Sequence, residues 1–233
     1  MIRAILLDLG GPVFNEDAEY RAWTGFLLQE LHKRGVPVSQ AEFATVLQEE
    51  IARCEPNPWL AVIWRFVRPN LEKFKEIVAV FRARNEEFQR ELPGVFVRPE
   101  AKEAIPKLAE QYLLALAANQ PPKALELLDG NGLLRYFRWS EVSGTMMVAK
   151  PRALFFRMIL DALGVQAQEA VMVGDRLDHD IFPARLLGLY TVRVLLGPYK
   201  QQAPVSPHHE PHLCVPDLSQ LPKAMATLVS QSR

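Results

Sequence analysis

Cysteine and net charge are both scarce in this 233-residue chain. Its two cysteines, Cys54 and Cys214, are too few for a disulfide framework and too far apart for a zinc-ligand spacing. Both are expected to be reduced packing residues. Lys and Arg number 27, as do Asp and Glu, so no charge excess marks a polyanion, and no nucleic acid partner is expected. Long apolar runs are missing too. No stretch approaches the ~20 residues of a membrane helix, and no basic leader precedes an apolar segment. The expectation is a cytoplasmic protein with no membrane partner. What is present is ordinary for a globular chain: 49% hydrophobic and 23% charged residues, enough length for one large domain or a core with a small second one.

The most informative stretch is Arg3 to Val13, RAILLDLGGPV. Ala4 to Leu7 form an apolar run closed by an aspartate and two glycines, the pattern of a strand buried on both faces of a parallel sheet. Asp8 therefore sits at a carboxyl end, where ligands collect in open α/β sheets. The pattern then turns helical. Residues 16 to 34 carry Tyr20, Trp23, Phe26, Leu27, Leu28 and Leu31 at helical spacing and stop at Gly35. Ser39 to Glu42 reads as a capping box for a helix to about Ile51. Further helices are expected after Pro56-Asn57-Pro58 and after Pro69. No strand is expected between 16 and 90.

From Leu92-Pro93-Gly94 strand and helix alternate again, which favours a parallel sheet with crossovers. A helix is expected over 99–111, a strand over LLALAAN ending at Ala118-Asn119, a helix after Pro121-Pro122, and a short strand within 138–143. A helix over 151–163, strands at VMVGD (171–175), TVRVLL (191–196) and HLCV, and a helix from Pro222 complete the order. Pro198 to Pro211, rich in Pro, His and Gln, reads as a surface loop.

Parallel strands would bring Asp8, Asn119, Lys150, Asp175 and Asp180 to one edge. Carboxylates from different strands suit Mg²⁺, a hard cation that bridges to phosphate oxygens. A lysine beside them would hold the phosphoryl group, and Asp8 could attack phosphorus to give an aspartyl-phosphate.

In order and spacing the chain resembles the haloacid dehalogenase (HAD) superfamily. Asp8-Leu9-Gly10-Gly11-Pro12 aligns with its D-x-D-G-T/V motif, Ala118-Asn119 with the second motif, Lys150-Pro151 with the third, and Gly174-Asp175 through Asp180 with G-D-x-x-x-x-D. The resemblance implies a Rossmann-like, doubly wound parallel α/β sheet over residues 1–14 and 93–233, with an all-helical C1-type cap over 15–92. It implies Asp8 as nucleophile and metal ligand, the Gly10 carbonyl and Asp175 as further ligands to Mg²⁺, and Asp180 orienting metal-bound water. Lys150 would neutralise charge. Leu9, Gly10, Ala118, Asn119 and Lys150 would bind the phosphate of a small phosphorylated metabolite. Asp178 and His179 are expected as solvated loop residues, and Arg21, Trp23, Trp59, Arg65 and Arg68 receive no role. The chain is expected as a monomer or homodimer.

Two positions depart from the family pattern. Gly10 stands where a second aspartate protonates the leaving alkoxide, an effect worth about 10²–10⁴ in rate. Ala118 replaces a hydroxyl donor, for which Asn119 could partly substitute. Three activities follow: a slow or specialised Mg²⁺-dependent phosphohydrolase, a 2-haloacid dehalogenase or phosphonatase, or a catalytically degenerate binding or scaffold protein.

Overall fold

A computed structural model describes residues 1–231. Chain order is β1 (Ala4–Leu7), β2 (Phe14–Asn15), α1 (Asp17–Lys33), α2 (Gln40–Ala52), α3 (Pro58–Val67), α4 (Leu71–Glu91), β3 (Phe96–Val97), α5 (Pro99–Ala109), β4 (Leu113–Leu116) and α6 (Lys123–Gly130). Then come β5 (Phe137–Trp139), α7 (Ser143–Met146), α8 (Ala153–Leu163), β6 (Ala170–Gly174), α9 (Phe182–Leu186), β7 (Tyr190–Val194), β8 (Leu213–Val215) and α10 (Leu221–Gln231).

Six strands form one parallel sheet in the order β5-β4-β1-β6-β7-β8. This is the Rossmann-like α/β fold. The chain builds outward from β1 to β4 and β5, then returns to the other side of β1 at β6, so the winding reverses between β1 and β6. A crevice at the carboxyl ends of those strands is the general ligand position of such sheets. Successive side chains of β1 alternate across the sheet. Ile5 and Leu7 join a cluster with Ile105 and Leu108 of α5 and Leu228 of α10, while Ala4 and Leu6 pack with Phe155, Phe156 and Ile159 of α8. The central strand β1 is thus sealed on both faces.

Helices α1 to α4 pack on one another around a separate cluster that includes Leu27, Leu31, Phe43, Leu47, Ile51, Val62, Ile63 and Ile77. Their starts are set locally. The Ser39 hydroxyl accepts from Glu42 N at 3.1 Å, Asn57 caps α3 through Leu60 N, and Asn70 caps α4 through Lys73 N; each satisfies an orphan N–H of a first turn. Two features escaped the sequence reading. Phe14 and Asn15 pair antiparallel with Val97 and Phe96, a small ribbon where the chain enters and leaves the helical segment, and a one-turn π helix spans Leu177–Ile181.

Pro198–Pro211 lies mostly at the surface as expected, with Gln202 and His209 as its buried exceptions. Gln202 is buried: its amide donates to the Ile51 carbonyl at 3.1 Å and to Asp178 Oδ1 at 2.9 Å, and accepts from Leu177 N at 2.9 Å. Buried Arg193 holds this loop from below, donating to the carbonyls of Tyr199 and Gln202. Polar residues stay buried here because protein groups take the place of the water they would otherwise bond. Small corrections are that the short strand lies at Phe137–Trp139 and that Cys214 is exposed whereas Cys54 is buried. No helix among the described residues is long and apolar enough to cross a membrane.

Candidate active site

Asp8 follows β1 and Asp175 follows β6, so the two adjacent strands at the winding reversal deliver one carboxylate each. Asp180 comes from the π helix after β6. One carboxylate oxygen from each lies within 4.8 Å of the other two, and all three residues are buried. Lys150 Nζ lies between two of them, 3.0 Å from Asp8 Oδ1 and 2.6 Å from Asp180 Oδ1. Three acids thus face one cation.

The electrostatics record this imbalance. Burial, set against the pull of Lys150 and reinforced by Asp180, raises the Asp8 carboxyl to about 6. Burial and the charges of Asp180 and Asp8 hold Asp175 well above the usual carboxylate range. Burial opposes the charge on Lys150, yet Asp180 and Asp8 keep its pKa above the ordinary lysine value. Crowded oxygens in a charge-deficient pocket fit a hard divalent ion with oxygen ligands at about 2.0–2.1 Å.

The backbone permits this convergence at Gly11. Its φ is +84°, and a Cβ there would lie 2.7 Å from Asp175 Oδ2, so a side chain would be strained and would collide with the acid. Arg98 Nε fixes the same turn by donating to the Gly11 carbonyl at 2.6 Å.

Other expected site residues fall as follows. Leu9 N donates to Asp8 Oδ1 at 2.8 Å, orienting the carboxylate. Gly10 lies in the same loop and lines the cavity. Ala118 is fully buried, and its carbonyl accepts from Ser143 N. The Asn119 amide bonds Lys150 at both ends, accepting from its N at 2.8 Å and donating to its carbonyl at 3.0 Å. Asn119 thus braces the lysine while also lining the cavity. Asp178 corrects the expectation of a solvated residue: it is buried and bonded by Arg176 and Gln202. His179 lines the cavity, and burial, aided by the Arg176 charge, lowers it to about 4.

The carboxylates open into a cavity of about 220 Å³. Its far wall comes from the helical segment: Tyr20, Trp23, Trp59 and Phe81, with Tyr20 and Trp59 rings 4.9 Å apart and Trp23 and Phe81 likewise. Trp23 and Trp59, without a role in the sequence, therefore face the site. Arg65 instead pairs with Glu49 and Glu50, and Arg21 and Arg68 are exposed. Sequence reasoning missed Glu16. Its carboxyl lines the cavity and accepts from Gln120 Nε2 at 2.7 Å; burial, with the nearby Glu19 charge, raises it to about 8.

A HAD-hydrolase-like family model matches residues 147–221, which carry Lys150, Asp175 and Asp180. A phosphoserine phosphatase of Thermus thermophilus is 33% identical, the match covering 94% of this chain and 98% of the relative. A glyceraldehyde 3-phosphate phosphatase of Methanocaldococcus jannaschii is 51% identical over 34% of each chain. Among solved structures, a predicted phosphoglycolate phosphatase from Haemophilus somnus superposes with a TM-score of 0.69 at 20% identity, over 96% of this chain and 98% of that one.

Proposed function

The chain belongs to the HAD family of hydrolases, as a phosphatase of that family, and from that premise we propose that it hydrolyses a small phosphorylated metabolite through an aspartyl-phosphate, with Mg²⁺ as cofactor. The observation that carries this reading is the buried trio Asp8, Asp175 and Asp180, with Lys150 within 3.0 Å of two of them.

Asp8 is the nucleophile. Leu9 N fixes one of its oxygens, leaving the other for in-line attack on phosphorus. Lys150, held by the Asn119 strut and by Asp180, offers its ammonium to the phosphoryl oxygens and offsets the repulsion between an anionic attacker and an anionic substrate. Mg²⁺, held by Asp8, Asp175, Asp180 and the Gly10 carbonyl, would supply the positive charge that the trio lacks. Helices α1 to α4 act as the cap, and the aromatic wall of Tyr20, Trp23, Trp59 and Phe81 keeps bulk water from the reacting atoms. The lysines of the cap do not suit Schiff-base chemistry on a phosphonate: Lys33 pairs with Glu30, Lys73 donates to the Arg34 carbonyl and Lys75 pairs with Glu72.

The test is phosphate release with Mg²⁺ from phosphoserine, phosphoglycolate, glyceraldehyde 3-phosphate and an aryl phosphate. Turnover of at least one ester, abolished in Asp8→Asn, supports the reading. Silence across the panel, or turnover indifferent to Asp8→Asn, overturns it.

A further inference from the structure

We propose that Glu16 is the general acid and base of this phosphatase, placing its carboxyl where residue 10 has no side chain. This rests on the phosphatase reading and names the proton donor that the reading leaves out.

An alkoxide is a poor leaving group, and its departure from phosphorus needs a proton delivered as the bond breaks. Lys150 is committed to Asp8 and Asp180, and Gly10 carries nothing. A Cβ built on Gly10, however, would lie 2.8 Å from Glu16 Oε2, 3.2 Å from Oε1 and 3.3 Å from the carboxyl carbon. The glutamate carboxyl thus fills the volume that a short acidic side chain at residue 10 would occupy, two residues beyond the nucleophile.

The local geometry shows a carboxyl turned to this purpose. Glu16 is the N-cap residue of α1, a place where a side chain ordinarily accepts from the first-turn N–H groups, yet it makes no such bond. It reaches across the cavity instead and takes the Gln120 amide on Oε1. Oε2 has no hydrogen-bond partner among the described residues and is the oxygen nearest residue 10. Glu19, the neighbouring acid of the cavity, gives one oxygen to the Trp23 indole at 3.0 Å, but the three atoms nearest a Cβ at residue 10 all belong to Glu16.

The chemistry balances over two steps. Asp8 Oδ bonds to phosphorus, the bond from phosphorus to the ester oxygen breaks, and the departing oxygen takes the proton of Glu16, leaving an alcohol, a glutamate carboxylate and an aspartyl-phosphate. Water then attacks phosphorus while Glu16 takes its proton, and the bond from Asp8 breaks to release phosphate.

The test compares wild type, Glu16→Gln and Asp8→Asn on an alkyl and an aryl phosphate. In Glu16→Gln, alkyl phosphate turnover should fall by about 10²–10⁴ in kcat. Aryl phosphate, whose leaving group needs no proton, should give a burst of one equivalent of aryloxide and then slow turnover, because the base for the second step is gone. Asp8→Asn should give no burst. Gly10→Asp alone should lose activity through collision with Glu16, whereas Gly10→Asp placed in Glu16→Ala should regain at least about tenfold of the alkyl turnover that Glu16→Ala lost. Comparable melting temperatures and vanadate affinities separate these effects from misfolding. Alkyl turnover within about threefold of wild type in Glu16→Gln, or a rise in KM with kcat unchanged, overturns the assignment while Asp8-dependent turnover still supports the phosphatase. A wild type inactive on both esters overturns both.

Discussion

Two sets of buried carboxylates in this molecule are treated in opposite ways. In the helical segment Glu30 is buried between Lys33 and Arg34, with contacts of 2.7 and 2.6 Å, and Glu50 meets Arg53 and Arg65. Each acid has two cations. At the sheet edge Asp8 and Asp180 share Lys150, while Asp175 has no ion pair among the described residues. The physical difference shows in the protons: the Lys33 hydrogen bond lowers Glu30 despite its burial, while burial and like charge raise Asp8 and Asp175. Charge is satisfied where the acid serves stability and left wanting where it is meant to meet a ligand.

The contrast can be broken most severely at Asp8. Asp8→Asn should lower phosphate release by at least about 10⁴-fold, as expected for loss of a nucleophile, with the fold retained by circular dichroism. Next comes the metal. Removing divalent ions with a chelator should abolish turnover, and saturating Mg²⁺ at about 100 times its Kd should stabilise the protein by roughly 2.7 kcal/mol, read as a rise in melting temperature. Smaller and opposite in sign to most substitutions, Asp175→Asn should stabilise the metal-free protein by about 1 kcal/mol through relief of repulsion and should cancel the Mg²⁺ shift. The matching change in the helices, Glu30→Gln, should destabilise by about 1 kcal/mol, since it removes two charge-assisted bonds, to Lys33 and Arg34. The same signs should give the smallest effect, a pH slope. Glu30 is lowered in the folded state, so the unfolded chain binds more protons; its contribution is present above the ordinary glutamate range and is lost as pH falls through its folded pKa. Glu30→Gln should flatten the acid limb of a melting-temperature profile, and an unchanged limb would remove Glu30 from the comparison.

Much of the sheet was legible because strands buried on both faces must be written as unbroken apolar runs, and Ala4–Leu7 and Ala170–Gly174 are such runs. Their polar ends gave Asp8 and Asp175, and the order of the strands sufficed to bring them together. Side chains whose partners lie far along the chain were not legible. Asp178 reads as a loop acid until Gln202 reaches it from 24 residues away, and nothing in the sequence shows that Asn119 bonds Lys150 through both ends of its amide. Glu16 reads as an ordinary residue before a helix. The one available signal was a glycine in a position expected to be acidic, followed six residues later by an acid, and only folding shows that the two share a volume. That overlap also bears on Gly10→Asp, whose side chain would meet the Glu16 carboxyl in the same space.

Phe14–Asn15 and Phe96–Val97 lie side by side, so everything between them departs and returns through a single doorway. A short turn joining residues 14 and 97 would close that doorway without disturbing any strand of the large sheet. Replacing the intervening roof would leave the floor of Asp8, Lys150, Asp175 and Asp180 in place, but Glu16, which lies on the roof side of the doorway, would go with it.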